Sequence, residues 1–309
     1  MISLNDVMLL IVVLISMLTG IIFPRFGAVF HDYPLYCLMI LLFLSFLSID
    51  LPIIWSTLKS SFGKIVCLSL LKIALLPVVV YYVFKIVAPS YAVAALLLSG
   101  VSTGVVAPFI SNLVKGNSSL VMVLVVITSV LVPFTLPALI KVLLGHSVDM
   151  SLSAMIQMLA LVIFLPFIAA ESLRRLAPQW PAAIFTIRFP LSLILFAVVN
   201  LGIFSRYADF FHREPIAIIT ATAVAVLLSL VFCLVGLVCM MKKPVEDQLA
   251  GAITLANMNN VLIIVFAARY FGPLEPTVAA IYILPFFGLL IPLRMYYNLR
   301  KRHRGLTVP

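Results

Sequence analysis

Apolar runs of roughly 17–27 residues, separated by short polar punctuation, take up nearly the whole chain. A helix needs about 20 apolar residues to cross the hydrocarbon core of a bilayer. The pattern therefore predicts membrane-spanning helices near 7–23, 34–55, 65–84, 92–113, 119–144, 152–170, 182–204, 215–241, 247–270 and 275–298. No connection is long enough to be a domain of its own. The expected fold is all-α and polytopic, a single membrane unit over 1–309 with ten transmembrane helices.

Two of the ten do not read as ordinary spans. The fourth, "AALLLSGVSTGVVAPFISNLVKGN", places Gly100, Gly104 and Pro108 near its middle. The ninth, "EDQLAGAITLANMNNVLIIVFAARYFG", places Asn257, Asn259 and Asn260 at membrane depth. Each is the fourth span of a block of five, and because five is odd a second such block enters the membrane inverted. Interrupted segments at matching places in two halves point to a transporter's binding site. A break at the midplane strips N–H groups of one half-helix and C=O groups of the other of their intrahelical partners. Lipid cannot satisfy them, so they must face protein, water or a ligand. The N–H ends attract anions and the carbonyl ends attract cations. Glycine and proline are common in membrane helices generally, which is the plainer explanation for either span alone.

Composition agrees with the pattern: 64% of residues are apolar and 10% charged, with a mean hydropathy of +1.28. The opening "MISLNDVMLLIVVLISMLTGIIF" has no basic stretch before it and no small-x-small cleavage site, so it reads as a retained first span. The net charge of +10 lies in short loops and in the tail "RKRHRG", which suits an anionic membrane surface and leaves no soluble domain to hold nucleic acid. Twelve basic residues, among them Lys59, Lys64, Lys115 and Arg174, fall on the face shared by both termini, against six, among them Arg25, Arg206 and Arg269, on the other. The positive-inside rule then predicts cytoplasmic termini in a plasma (inner) membrane. Cys37, Cys67, Cys233 and Cys239 lie in apolar runs without CxxC spacing, so they are expected to be small membrane-buried hydrophobes and not metal ligands or disulfides.

One charge stands out. In "LSLLKIALLP", Lys72 is the eighth residue of the twenty between Lys64 and Lys85. A charge at that depth costs about 2.5–3.5 kcal/mol on insertion scales. The other polar residues in apolar runs have milder readings. Asp50 is expected at the cytoplasmic end of span two, Arg188 snorkelling to the cytoplasmic interface, and Asn200 in a helix–helix hydrogen bond.

Over nearly its whole length the chain resembles the bile acid:sodium symporter family, as a divergent member. The likeness rests on "APFISNLVKGNSSL", "TSVLVPFTLPAL" and "ITLANMNNVLIIVFAARYFG". It implies two inverted five-helix repeats, approximately 1–150 and 151–309, with helices four and nine broken and crossing. It also implies alternating access and organic-anion substrates, bile acids or small carboxylates, carried with sodium. The departures are pointed. The family's sodium-holding glutamate in span nine falls on Leu255, its paired glutamine on Asn259, and the next asparagine is kept as Asn260. The Ser-Asn of span four falls on Ala107-Pro108, two hydroxyl ligands fall on Val121 and Val125, and the third-span glutamine falls on Lys72. No cofactor is expected beyond the sodium the resemblance implies, and an ammonium among replaced ligands argues against that ion.

Lys72, with Asn259, is therefore the expected coupling site. Lys72 either stands in for the lost sodium, carries a proton, or meets a substrate carboxylate; snorkelling is the plainer alternative. Substrate contacts are expected from Ser102, Thr103, Asn257 and Asn260. N–H groups near Phe109, Ile110 and Ser111 and near Asn259–Val261 should point at the substrate's negative end. "GVSTG" also matches the G-x-S-x-G nucleophile elbow, which leaves an intramembrane Ser102/Lys72 hydrolase as an alternative although the strand–turn–helix context is missing. A non-transporting receptor or scaffold with the same fold is the remaining one.

Overall fold

A computed structural model describes residues 4–49, 51–145, 151–177 and 179–303. Every named element in them is helical. The chain opens with α1 (Leu4–Ile22), the short α2 (Pro24–Ala28), α3 (Pro34–Phe46) and α4 (Leu51–Ser60). α5 (Phe62–Leu70) passes through a π-helical turn, Leu71–Leu75, into α6 (Leu76–Val87). Then come α7 (Ala92–Gly100), α8 (Ala107–Leu113), α9 (Ser118–Leu144), α10 (Leu152–Leu176) and α11 (Trp180–Phe204). α12 (Ala208–Arg213), α13 (Pro215–Cys239), α14 (Val245–Ala256), α15 (Asn260–Tyr270), α16 (Leu274–Ile281), α17 (Ile283–Gly288) and α18 (Leu290–His303) complete it.

Among the described residues, six helical stretches are long and apolar enough to cross a membrane: Phe62–Val87, Ser118–Leu144, Leu152–Leu176, Thr186–Phe204, Pro215–Cys239 and Leu274–Lys301. Four shorter apolar helices, Ile11–Ile22, Pro34–Phe46, Pro89–Gly100 and Asn260–Tyr270, accompany them. Their outward faces are apolar too: Ile15, Leu18, Ile194, Ile219 and Leu234 are each at least half exposed. Helices apolar all round, with their outer side chains uncovered, suit a lipid solvent and not water. The chain is an integral membrane protein of several spans.

The second expected span, 34–55, is not one helix. α3 stops at Phe46, and α4 begins at Leu51 with Pro52 in its first turn. Proline disfavours helical geometry in the residue before it, and the carbonyls left at the end of α3 are taken up from afar. The Arg174 guanidinium on α10 donates to Phe46 O at 2.9 Å and Ile49 O at 2.8 Å. The apolar run through Leu51–Ile54 hides this stop from a hydropathy reading. Asp50 lies outside the described residues.

The helices pack in two groups joined where α9 lies against α10: α1, α3, α10 and α11 pack on one another, and α5 to α9 pack with α13, α14 and α16. α13 and α14 touch backbone to backbone: a Cβ on Gly236 would sit 2.4 Å from Gly251 O, the small-residue packing that lets membrane helices close up. Asn200 on α11 donates to Ser16 Oγ on α1 at 3.3 Å, the interhelical bond expected of it.

One end of the second group is tied by charge. Asp247, 4% exposed in the first turn of α14, accepts from Lys64 Nζ on α5 and from Asn117 Nδ2 at the start of α9, each at 2.8 Å. Asn117 also caps α9 by accepting from the Leu120 N–H at 3.1 Å. Asp247→Asn removes the anion and leaves Lys64 facing a neutral amide. Because Lys64 keeps 26% side-chain exposure, the expected loss is about 1–3 kcal/mol, short of the larger cost of breaking a fully buried pair. Thermal unfolding in lipid nanodiscs reads it, and an unchanged melting temperature would contradict this role.

Candidate functional site

The fourth and ninth expected spans are both interrupted, and their interruptions meet. α7 ends at Gly100, and Val101 is extended at φ −72°, ψ 157°. α14 ends at Ala256, and Asn257 is extended at φ −93°, ψ 95°. The two extended pieces pair antiparallel at Thr103 and Met258. The Gly104 N–H donates to Asn257 O at 2.8 Å and the Asn259 N–H to Ser102 O at 3.0 Å. Glycine is required at 104, because a Cβ there would lie 2.6 Å from Met258 O.

The last carbonyls of α14 are all accounted for, the first by its own helix and the next three from outside it. Ile253 O accepts from the Asn257 N–H at 2.8 Å and Thr254 O from Thr103 Oγ1 at 3.0 Å. Leu255 O accepts from Lys72 Nζ at 3.3 Å, and Ala256 O from the Tyr282 hydroxyl at 2.8 Å. Three of the four donors are side chains from other parts of the chain. A helix C-terminus carries partial negative charge, so a lysine is the fitting cap there.

Lys72 reaches this place because of its local backbone. It sits in the π-helical turn Leu71–Leu75, five residues before Pro77. Proline supplies no N–H to the carbonyl four residues back and crowds it, so the turn before it widens. The side chain is fully buried, and its ammonium lies 6.0 Å from the centre of the Phe232 ring, at the outer limit of a cation–π contact. It does not snorkel. Nor does it form a dyad with Ser102, whose hydroxyl has no hydrogen-bond partner among the described residues.

The second halves begin at a cavity. It has a volume of about 400 Å3 and lies between α1, α3 and α11 on one side and the two breaks on the other. Val105, Val106, Phe109, Asn259 and Val261 line it from the breaks; Leu38, Leu41, Leu42, Ser45, Arg188, Phe189, Ser192 and Phe196 face them. A smaller adjoining space of about 70 Å3 adds Gly104, Met258 and Asn260. α15 is capped here by Asn259, whose Oδ1 accepts from the Leu262 N–H at 3.3 Å.

Of the residues expected to contact substrate, Phe109, Asn259 and Asn260 therefore line these spaces. Ser102, Thr103, Ile110, Ser111 and Asn257 are buried behind them, at most 1% exposed, and neither space is lined by them. Thr103 is spent on the joint itself, its N–H donating to Thr128 Oγ1 at 3.1 Å. Lys72 lines neither space. The hydroxyls of Ser69, Ser102 and Thr254 and both ends of the Asn257 amide are buried without partners among the described residues.

Two contacts escaped the sequence. Arg188 lines the cavity and donates to Ser48 Oγ just past the end of α3. Cys67 on α5 and Cys239 on α13 lie on the outer face of apolar helices, with their sulfurs 3.6 Å apart. Spacing could have revealed neither, since each depends on a partner more than a hundred residues away.

A second cavity, of about 480 Å3, lies at the other end of α15, lined by His31, Asp32, Arg206 and Arg269 with Tyr36 and Met158. Its charges are partly matched: Arg206 donates to His31 O at 2.6 Å and lies 4.0 Å from the Asp32 carboxylate. Burial and the Arg206 guanidinium hold the His31 imidazole below its ordinary value, against the opposing pull of Asp32. No family model and no curated protein matches the chain.

Proposed function

We propose that the protein is a secondary transporter of small or amphipathic organic anions, working by alternating access with the bile acid:sodium symporter fold. The observation that carries this reading is the joint of two interrupted helices, paired break to break at Thr103 and Met258 beside a cavity at the start of their second halves. Interrupted helices at matching places in two halves, meeting beside a cavity, are the arrangement by which membrane transporters build a ligand path. The four shorter apolar helices fall in expected spans one, two, four and nine, which supports ten spans in two inverted repeats. The basic loops support cytoplasmic termini in a plasma membrane.

Lys72 takes the part of the coupling ion. Its ammonium on Leu255 O favours the stand-in reading over direct contact with a substrate carboxylate, because the side chain lies outside the cavity lining. Where the resemblance expects an acidic sodium ligand, the chain offers Leu255, with its backbone carbonyl already taken. Transport is accordingly sodium-independent.

The test is uptake of a labelled bile acid and of a small carboxylate into proteoliposomes, with sodium and pH gradients imposed separately. Flux that persists without sodium is expected. Strong sodium stimulation would sink the coupling assignment, and no flux of any organic anion would sink transport itself.

A further inference from the structure

Cys67 is the sixth residue of α5 and Cys239 the last of α13. Both are free thiols on the outer face of the helices, and their sulfurs touch at 3.6 Å. No other atom fits between them. The two positions are 172 residues apart in the chain, so the fold alone makes the pair, against the expectation from spacing. Each cysteine lies near a lysine at its helix end: Lys64 is one turn before Cys67, and Lys242 is three residues after Cys239. Lysines at helix ends reach the membrane interface, where water and small polar oxidants have access. The pair also sits at a junction of helices. Lys64 on α5 holds Asp247 on α14 at 2.8 Å, α5 leads into the π-helical turn of Lys72, and α13 lies backbone to backbone on α14 at Gly236 and Gly251. A bond between the sulfurs fastens α5 to α13 at the end where the ion pair fastens α5 to α14.

We propose that Cys67 and Cys239 form a reversible redox site, which hydrogen peroxide converts from a dithiol to a disulfide that clamps α5 to α13. One thiol loses its proton and attacks the peroxide as thiolate; the O–O bond breaks, the sulfur keeps one oxygen as a sulfenic acid, and the other oxygen leaves as water. The second thiol then attacks the sulfenic sulfur. The S–O bond breaks, the S–S bond forms, and a second water leaves. The two thiols give up two electrons and two protons, and the peroxide is reduced to two waters. Thiol–disulfide exchange with a small dithiol reverses the reaction. With the basic loops in the cytoplasm, as proposed above, the pair rests reduced and the disulfide is the response to oxidant. The inference does not depend on what the protein transports.

The experiment counts thiols in the full chain in nanodiscs, before and after hydrogen peroxide, by denaturing it and labelling with a maleimide–polyethylene glycol. The native chain has four cysteines, so its labels should fall from four to two and return to four after dithiothreitol. Cys67→Ser and Cys239→Ser should each keep three labels at the dose that converts the native chain. Cys37→Ala combined with Cys233→Ala retains the pair and should fall from two labels to none, which keeps the test decisive even if a serine variant folds poorly. The oxidised native chain should melt at a higher temperature than the reduced one, and the difference should vanish in Cys67→Ser. A native chain that keeps all its labels overturns the inference. So does a loss that dithiothreitol does not restore, a bond that joins two copies of the chain on a non-reducing gel, or a serine variant that loses labels as readily as the native chain. A disulfide that forms without raising the melting temperature overturns the clamp.

Discussion

Lys72→Met is expected to fold and to lose at least tenfold of its flux in proteoliposomes. Methionine fills nearly the same space without a donor. The loss of the bond to Leu255 O costs about 1–3 kcal/mol, and removal of a buried charge returns a comparable amount, because burying an ion costs several kcal/mol. Thermal unfolding should therefore move by only a few degrees. What disappears is the cation that ties the π-helical turn to the end of α14. Lys72→Gln restores a neutral oxygen where the resemblance expects one; combined with Leu255→Glu it should make flux respond to sodium. If Lys72→Met and Lys72→Gln both carry anions at the native rate across the full pH range, Lys72 has no part in transport.

Gly104→Val should be the most damaging single change at the joint. Even a Cβ at this position falls 2.6 Å from Met258 O and 3.0 Å from Met258 C. Both are backbone atoms that no rotamer change can move away. The two extended segments must separate, and the bonds of Gly104 N–H to Asn257 O and Asn259 N–H to Ser102 O lengthen or break. Overpacking of this kind costs about 1–3 kcal/mol, and buried backbone groups left open add to it. Loss of flux with a lowered melting temperature is the expected result. Gly63→Ala is the matched control, since a Cβ there meets nothing within 4 Å and a helical alanine is favoured by up to about 1 kcal/mol. Equal behaviour of the two variants would remove the joint from the mechanism.

The interruptions were legible because glycine, proline and asparagine act on their own backbone. Gly104, Pro108 and the asparagines at 257, 259 and 260 mark the breaks wherever the rest of the chain lies. The depth of Lys72 was legible for the same reason, but its partner Leu255 was not, being 183 residues away. Arg188 shows the limit most sharply. Sequence gives its depth in α11, but this helix is apolar on all sides, so no polar stripe tells which way position 188 faces. Asn257 failed as a cavity-lining residue on similar grounds, because in an extended segment neighbouring side chains point opposite ways and it is Met258 that faces the smaller space. The end of α3 was hidden by an apolar run that continues past it, and its cap, Arg174, comes from another helix.

The end of α14 is bolted at every carbonyl, to Asn257, Thr103, Lys72 and Tyr282, and through Thr103 to Thr128 on α9. Four separate stretches of the chain thus share one hydrogen-bonded knot, and loosening any one of them is expected to be felt by the other three.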